Sequence, residues 1–115
     1  MTVTEIIENK TELHGRSVCI SGVLVQHAKR LCIVNHGAAV YAKDIIYIKN
    51  ESLFDLVLDL IFPFTIGGGS SMFYHEISST GIIEYDCTHN SLMLDYLSDI
   101  KIKVDGFYKD LVIND

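Results

Sequence analysis

Lysine and arginine are missing from the whole stretch between Asn50 and Ile100. The same stretch carries eight carboxylates: Glu51, Asp55, Asp59, Glu76, Glu84, Asp86, Asp95 and Asp99. The nine basic residues lie on either side of it. A half this acidic projects a negative field that repels phosphate backbones and draws in cations. Expectation therefore turns away from DNA and RNA and towards a basic protein as the thing bound. Acidic surfaces also serve solvation, so the charge gives a class of partner and not its identity.

Other absences narrow the reading further. No apolar run reaches membrane-spanning length, and the longest, Leu56 to Ile66, is interrupted by Asp59 and Pro63. Met1 to Glu5 lacks the basic and apolar regions of a signal peptide. A cytoplasmic protein without membrane association is expected. Cys19, Cys32, Cys87, His27, His36, His75 and His89 include no Cys-x-x-Cys or His-x-x-x-His pair, so no metal or other cofactor is expected. Cys19 facing Cys32 across a hairpin, or Cys87-Thr88-His89 lending two ligands, are the rarer arrangements left open. Three cysteines, an odd number, read as thiols packed as small hydrophobes in a reducing compartment.

Catalytic signatures are missing too. Asp86, Cys87 and His89 are the nearest nucleophilic set, but neighbours in one loop rarely point at each other. Gly67-Gly68-Gly69-Ser70-Ser71 is followed by no lysine and no helix, so it is not a phosphate loop. No enzyme is expected.

What remains is a single domain over residues 1–115, with 49% apolar and 21% charged residues and a net charge of -6. That is enough apolar material for a core without staples. Thr2-Val3-Thr4-Glu5 fits a capping box and predicts a short helix over Val3 to Asn9, with Val3, Ile6 and Ile7 inward. Strands are predicted over Ser17 to His27, Leu31 to Asn35, Val40 to Lys49, Met72 to Asp86, Ile100 to Val104 and Phe107 to Ile113. Leu92 to Leu97 has no decisive pattern. Glu51 to Phe62 predicts a helix ended by Pro63, with Leu53, Leu56, Val57, Leu60 and Ile61 on one face. Phe54, Leu58 and Phe62 border its polar stripe of Ser52, Asp55 and Asp59. Asp55 and Asp59, one turn apart, repel by about 0.2–0.5 kcal/mol, which a bound cation would relieve.

Two long strands carry an internal glycine, in Ser21-Gly22-Val23-Leu24 and Thr80-Gly81-Ile82-Ile83. Mid-strand glycine marks the sharp coil where a small barrel turns a corner. Strands one and four of a five-stranded OB barrel need that coil, and a helix between strands three and four plugs such a barrel. The expected fold is mainly β: a small antiparallel OB-like barrel or coiled sheet, one helix between strands three and four, and a short N-terminal helix. An open α+β roll is the alternative.

Leu13-His14-Gly15-Arg16-Ser17-Val18-Cys19-Ile20-Ser21-Gly22-Val23-Leu24 resembles the opening of small bacterial OB-like proteins akin to the tRNA-anticodon-binding-like families. So does Ile66 to Tyr74, followed by Ile77 and Thr80-Gly81-Ile82. Some proteins of this kind look like immunity proteins of contact-dependent inhibition systems. The resemblance implies a non-enzymatic protein that binds and neutralises a basic toxin, such as a nuclease. The residues expected to do so are Glu84, Tyr85, Asp86, Asp95, Tyr96 and Asp99, with Asp55 and Asp59 on the helix. Tyr85 and Tyr96 would be the desolvated anchors and the carboxylates would occupy a phosphate site. The alternative is a single-stranded nucleic-acid module using Lys101 to Lys109, for which the chain offers few phosphate contacts. A structural interaction domain of a larger assembly is a third reading.

Overall fold

The computed structural model describes residues 1–27, 30–37, 44–50, 52–61, 74–104 and 106–112. The turn expected at Ala28-Lys29, the strand start at Val40, Glu51, the stop at Pro63, the Gly67 to Ser71 run, Asp105 and Ile113 lie outside these residues. So do the side chains of Phe54, Leu58, Asp59, Leu60 and Ile61.

The N-terminal capping box forms as its residues dictate. Thr2 Oγ1 accepts from Glu5 N at 3.2 Å, and Glu5 Oε1 accepts from Thr2 N at 3.0 Å. This starts α1 (Val3–Glu8), which runs at Asn9 into a single further turn, α2 (Lys10–Leu13). Val3 and Ile6 are fully buried and Ile7 packs partly against the same core. Six strands follow: β1 (Ser17–His27), β2 (Arg30–Val34), β3 (Ile45–Ile48), β4 (Tyr74–Asp86), β5 (Ser91–Val104) and β6 (Phe107–Leu111). The helix α3 (Ser52–Ile61) lies between β3 and β4. Its first turn is anchored by Asn50, whose Oδ1 accepts from Ser52 N at 3.0 Å and Ser52 Oγ at 2.6 Å.

β1 pairs antiparallel with both β2 and β4; β2 pairs with β3, and β4 with β5. The sheet closes because β3 also pairs with β5, through Tyr47↔Met93 and Ile48↔Leu94. The order around the barrel is therefore β1-β2-β3-β5-β4, with β6 outside on β5. The closing pair is parallel, so the barrel is mixed where an antiparallel one was expected. Strands that follow each other through a tight turn must run antiparallel, whereas β3 and β5 are joined through α3 and β4 and are free to run the same way.

Gly22 and Gly81 mark where the strands coil. A Cβ on Gly22 would lie 2.5 Å from Val34 O and 2.8 Å from Ile33 Cγ2. A Cβ on Gly81 would lie 2.7 Å from Leu94 Cδ1 and 3.0 Å from Asp95 O. Only glycine permits backbones and side chains to approach so closely.

The barrel interior is aliphatic: Ile20, Leu24, Ile33, Ile46, Ile77, Ile83 and Leu94 are buried there with Ile100 and Ile102. Leu53 and Val57 of α3 join the same cluster. Each such side chain contributes about 1.5–3 kcal/mol on burial. A second, smaller cluster forms on the outer face of β1–β3. Val23, Val25, Cys32 and Val34 are buried there, with Ile45 and Tyr47 packed against them. β1 and β2 are thus apolar on both faces. Among the described residues no helix is long and apolar enough to cross a membrane.

Candidate protein-binding face

β5 is one continuous strand from Ser91 to Val104, although the residues of its first half follow no decisive pattern. Its pairing with β4 slips twice. Ile82 faces Asp95, Thr80 faces Ser98, and Ser78 faces Lys101. In each interval β4 supplies one residue and β5 two: Tyr96 and Leu97 across from Gly81, then Asp99 and Ile100 across from Ser79. These are consecutive β-bulges, each opened by a left-handed residue, Tyr96 at φ 51 and Asp99 at φ 49. The bulges keep Leu94, Leu97, Ile100 and Ile102 all turned inward. Ser79 Oγ is buried and shares its proton between Thr80 O at 3.0 Å and Ser98 O at 3.2 Å, satisfying carbonyls beside the second bulge.

A bulky side chain at positive φ is strained by about 1–3 kcal/mol. Here the strain holds Tyr96 out into solvent, 73% exposed. Asp95 steadies it by accepting from Tyr96 N at 2.9 Å. Asp99 is exposed and makes no side-chain bond among the described residues. The structure thus brings Asp95, Tyr96 and Asp99 together on one bulged segment.

The other expected site residues do different work. Glu84 and Asp95 share one cation: Lys49 Nζ lies 3.0 Å from Glu84 Oε2 and 3.7 Å from Asp95 Oδ2. The hydrogen bond and charge of Glu84 hold the Lys49 ammonium above its usual pKa. Lys49 comes from before the lysine-free stretch and neutralises part of it in space. Asp86 organises the β4–β5 turn. Its Oδ1 accepts from Thr88 N at 3.0 Å and His89 N at 3.3 Å, and its Oδ2 accepts from His89 Nδ1 at 2.7 Å. The His89 hydrogen bond chiefly lowers the Asp86 pKa.

Tyr85 is half-buried against the main core. Lys10 sits 5.0 Å above its ring and its hydroxyl donates to Asn90 Oδ1 at 3.3 Å. It latches the N-terminal helices to the turn and does not stand free beside Tyr96. Asp55 is exposed on α3, and the Asp59 side chain lies outside the described residues.

The cysteines are all free. Cys32 is buried in the outer apolar cluster, and desolvation pushes its thiol up to about 11. Cys19 and Cys87 are exposed, contrary to the packing expected of them. Cys19 faces Thr80 and Cys32 faces Val25, so the two cysteines do not meet across a hairpin. Among the described residues no three His, Cys, Asp or Glu side chains gather as metal ligands.

The outer sheet face carries a polar row that spacing in the sequence did not reveal. Ser21 Oγ lies 3.5 Å from His36 Nε2, and His36 Nδ1 3.4 Å from Glu76 Oε1. Glu76 Oε2 in turn meets Lys103 Nζ at 3.1 Å, and Lys103 lies 5.8 Å over the Tyr108 ring. The order serine, histidine, glutamate is that of a nucleophilic triad, but its contacts are long and half-exposed. It ties neighbouring strands together.

Compared with family models, with curated proteins and with solved structures, the chain matches none.

Proposed function

We propose that this chain is a non-enzymatic binding protein of the immunity type, acting in the cytoplasm to dock and neutralise a basic toxin domain such as a nuclease. The observation that carries the reading is Tyr96. An aromatic ring 73% exposed, held at positive φ inside a strand and flanked by Asp95 and Asp99, is a costly arrangement for a purely structural element. A rigid aromatic is the side-chain type enriched at interface centres, and the carboxylates beside it suit the polar rim. The surrounding acid would steer a cationic partner and raise its association rate. The cationic class comes from the charge, and the toxin from the resemblance described above.

The nucleic-acid alternative has less support. OB barrels bind oligonucleotides across strands two and three. In this chain the outer face of β2 and β3 is closed by Cys32, Val34, Ile45 and Tyr47. Arg30, at the start of β2, is stacked on Tyr47 at 4.5 Å.

The test is binding kinetics against the protein encoded by the adjacent gene. The expected result is salt-sensitive association, with Tyr96→Ala weakening the complex by about 2 kcal/mol or more. No binding to any basic neighbour would remove the reading; submicromolar affinity for single-stranded oligonucleotide at physiological salt would promote the alternative.

A further inference from the structure

Beside the second bulge, β5 and β6 enclose a groove of about 500 Å³. Its apolar lining includes Leu97, Leu111 and Val112, and its charged lining Asp99, Lys101 and Asp110. The groove exists because of the bulge. Ile100 pairs with Leu111 and Lys101 with Asp110, so β6 is in register up to the point where Asp99 turns left-handed and the pairing ends. Val112, just beyond, is left 67% exposed.

Among the described residues the charges in this groove are not consumed internally. Lys101 stands across the strands from Asp110, yet no ion pair forms between them, and among the described residues neither Asp99 nor Asp110 has a side-chain partner. A pocket with a greasy wall, two unengaged carboxylates and one lysine keeps a net negative charge, and it complements one kind of side chain: a long aliphatic stem with a cationic head. Of the two natural candidates, arginine fits better. Its guanidinium is more weakly hydrated than an ammonium and its planar fork can serve two carboxylates at once. Lysine would bring a compact, strongly hydrated point charge to the same place.

We infer that the β5–β6 groove receives an arginine side chain of the cationic partner, its stem against Leu97, Leu111 and Val112 and its guanidinium between Asp99 and Asp110. This deepens the proposed function and rests on it: Tyr96 is the exposed anchor and the groove beside it the specificity pocket. An inhibitor that captures an arginine otherwise used to hold substrate phosphate would silence a nuclease without covering its whole surface.

The experiment is an amide-resolved NMR titration of the full chain with octa-arginine, with octa-lysine as comparison, at low salt. Arginine peptide is expected to shift Leu97 to Lys101 and Asp110 to Val112, and to bind more tightly than lysine peptide. Asp99→Asn and Asp110→Asn should each weaken it by about tenfold. Asparagine tolerates the left-handed conformation at position 99, so the fold survives the change, and an unchanged spectrum away from the groove verifies this. Shifts confined to Glu84, Asp95 and the β4–β5 turn would overturn the groove assignment while leaving the proposed function standing. Equal affinity for both peptides would overturn the arginine assignment. Groove binding by octa-arginine, with no binding to the neighbouring gene product, would retain the pocket and remove the immunity reading.

Discussion

Lys49, just beyond β3, sets its ammonium 3.0 Å from the Glu84 carboxylate of β4. The pair crosses β5 on the outside of the barrel, where Lys49 N also donates to Leu94 O at 3.0 Å. A stretch without any basic residue in the sequence is therefore served by one in space. The Glu84 hydrogen bond raises the Lys49 pKa above its usual 10.5. The stabilisation it brings is complete below 10.5 and is lost as pH rises through the raised value. Glu84→Gln should bring the Lys49 titration, followed by NMR at its side-chain carbons, back down towards 10.5. A titration that does not move would mean that the pair does not persist in solution.

Alanine at Gly22 should be worse tolerated than alanine at Gly81. At Gly22 the new Cβ would meet a carbonyl, Val34 O at 2.5 Å, which moves only with the strand. At Gly81 it would meet chiefly the Leu94 side chain at 2.7 Å, which can turn aside in part. Urea unfolding should show a loss of about 3 kcal/mol for Gly22→Ala and about 1–2 kcal/mol for Gly81→Ala.

Those two glycines were also the most legible part of the sequence. Their place in long β-rich runs, with a helix between, gave the barrel and the helix position. β1 could be read to the residue because its Val- and Ile-rich run, with Gly22 inside it, is bounded by turn residues on both sides. β5 could not, because Leu92, Leu94, Leu97, Ile100, Ile102 and Val104 advance by two, three, three, two and two. Each step of three is a bulge, and a strict period of two misses both. Of the proposed site, charge and aromatic content singled out Asp95, Tyr96 and Asp99, which share the bulged segment of β5. Lys49 and Asp110 were missed because their neighbours arise from pairing between distant strands. Tyr85 was expected as an anchor with Asp86 beside it, because proximity in sequence does not reveal that Asp86 organises a turn and that Tyr85 is half-buried against the core.

Tyr96→Asn should separate stability from binding. Asparagine relieves the left-handed strain, so unfolding free energy should rise by about 1 kcal/mol. Affinity for the cationic partner should fall in the same variant. A destabilised Tyr96→Asn would show that the ring is held for packing and not for recognition.

Thiol reactivity should sort the cysteines by their surroundings. At pH 8 a disulfide reagent should label Cys19 and Cys87 readily and leave Cys32, buried and raised to about 11, untouched until the chain unfolds. Because the folded state prefers the neutral Cys32 thiol, its contribution to stability is full below 9.0 and is lost between 9.0 and about 11.

The β4–β5 turn should loosen in acid. Hydrogen bonds from His89 and Thr88 hold the Asp86 pKa below its usual 3.8. Their stabilisation is present above 3.8 and is lost as pH falls through the depressed value. Asp86→Asn should speed amide exchange at Thr88 and His89 at neutral pH, with β1 amides unaffected.

The parallel contact of β3 with β5 gives this barrel a preferred way to come apart. Two residue pairs, Tyr47↔Met93 and Ile48↔Leu94, close a cylinder whose β1–β4 junction runs from Ser17 to Val25. Uncurling at that seam would break few backbone bonds and leave both long hairpin-like pairings zipped. The cylinder would become a ribbon with two raw edges and with Ile46 and Leu94 laid bare. Sub-global opening of this kind governs which species a crowded cell encounters between synthesis and turnover. The ribbon, with unpaired edges and an aliphatic face, is also the form from which this chain would aggregate.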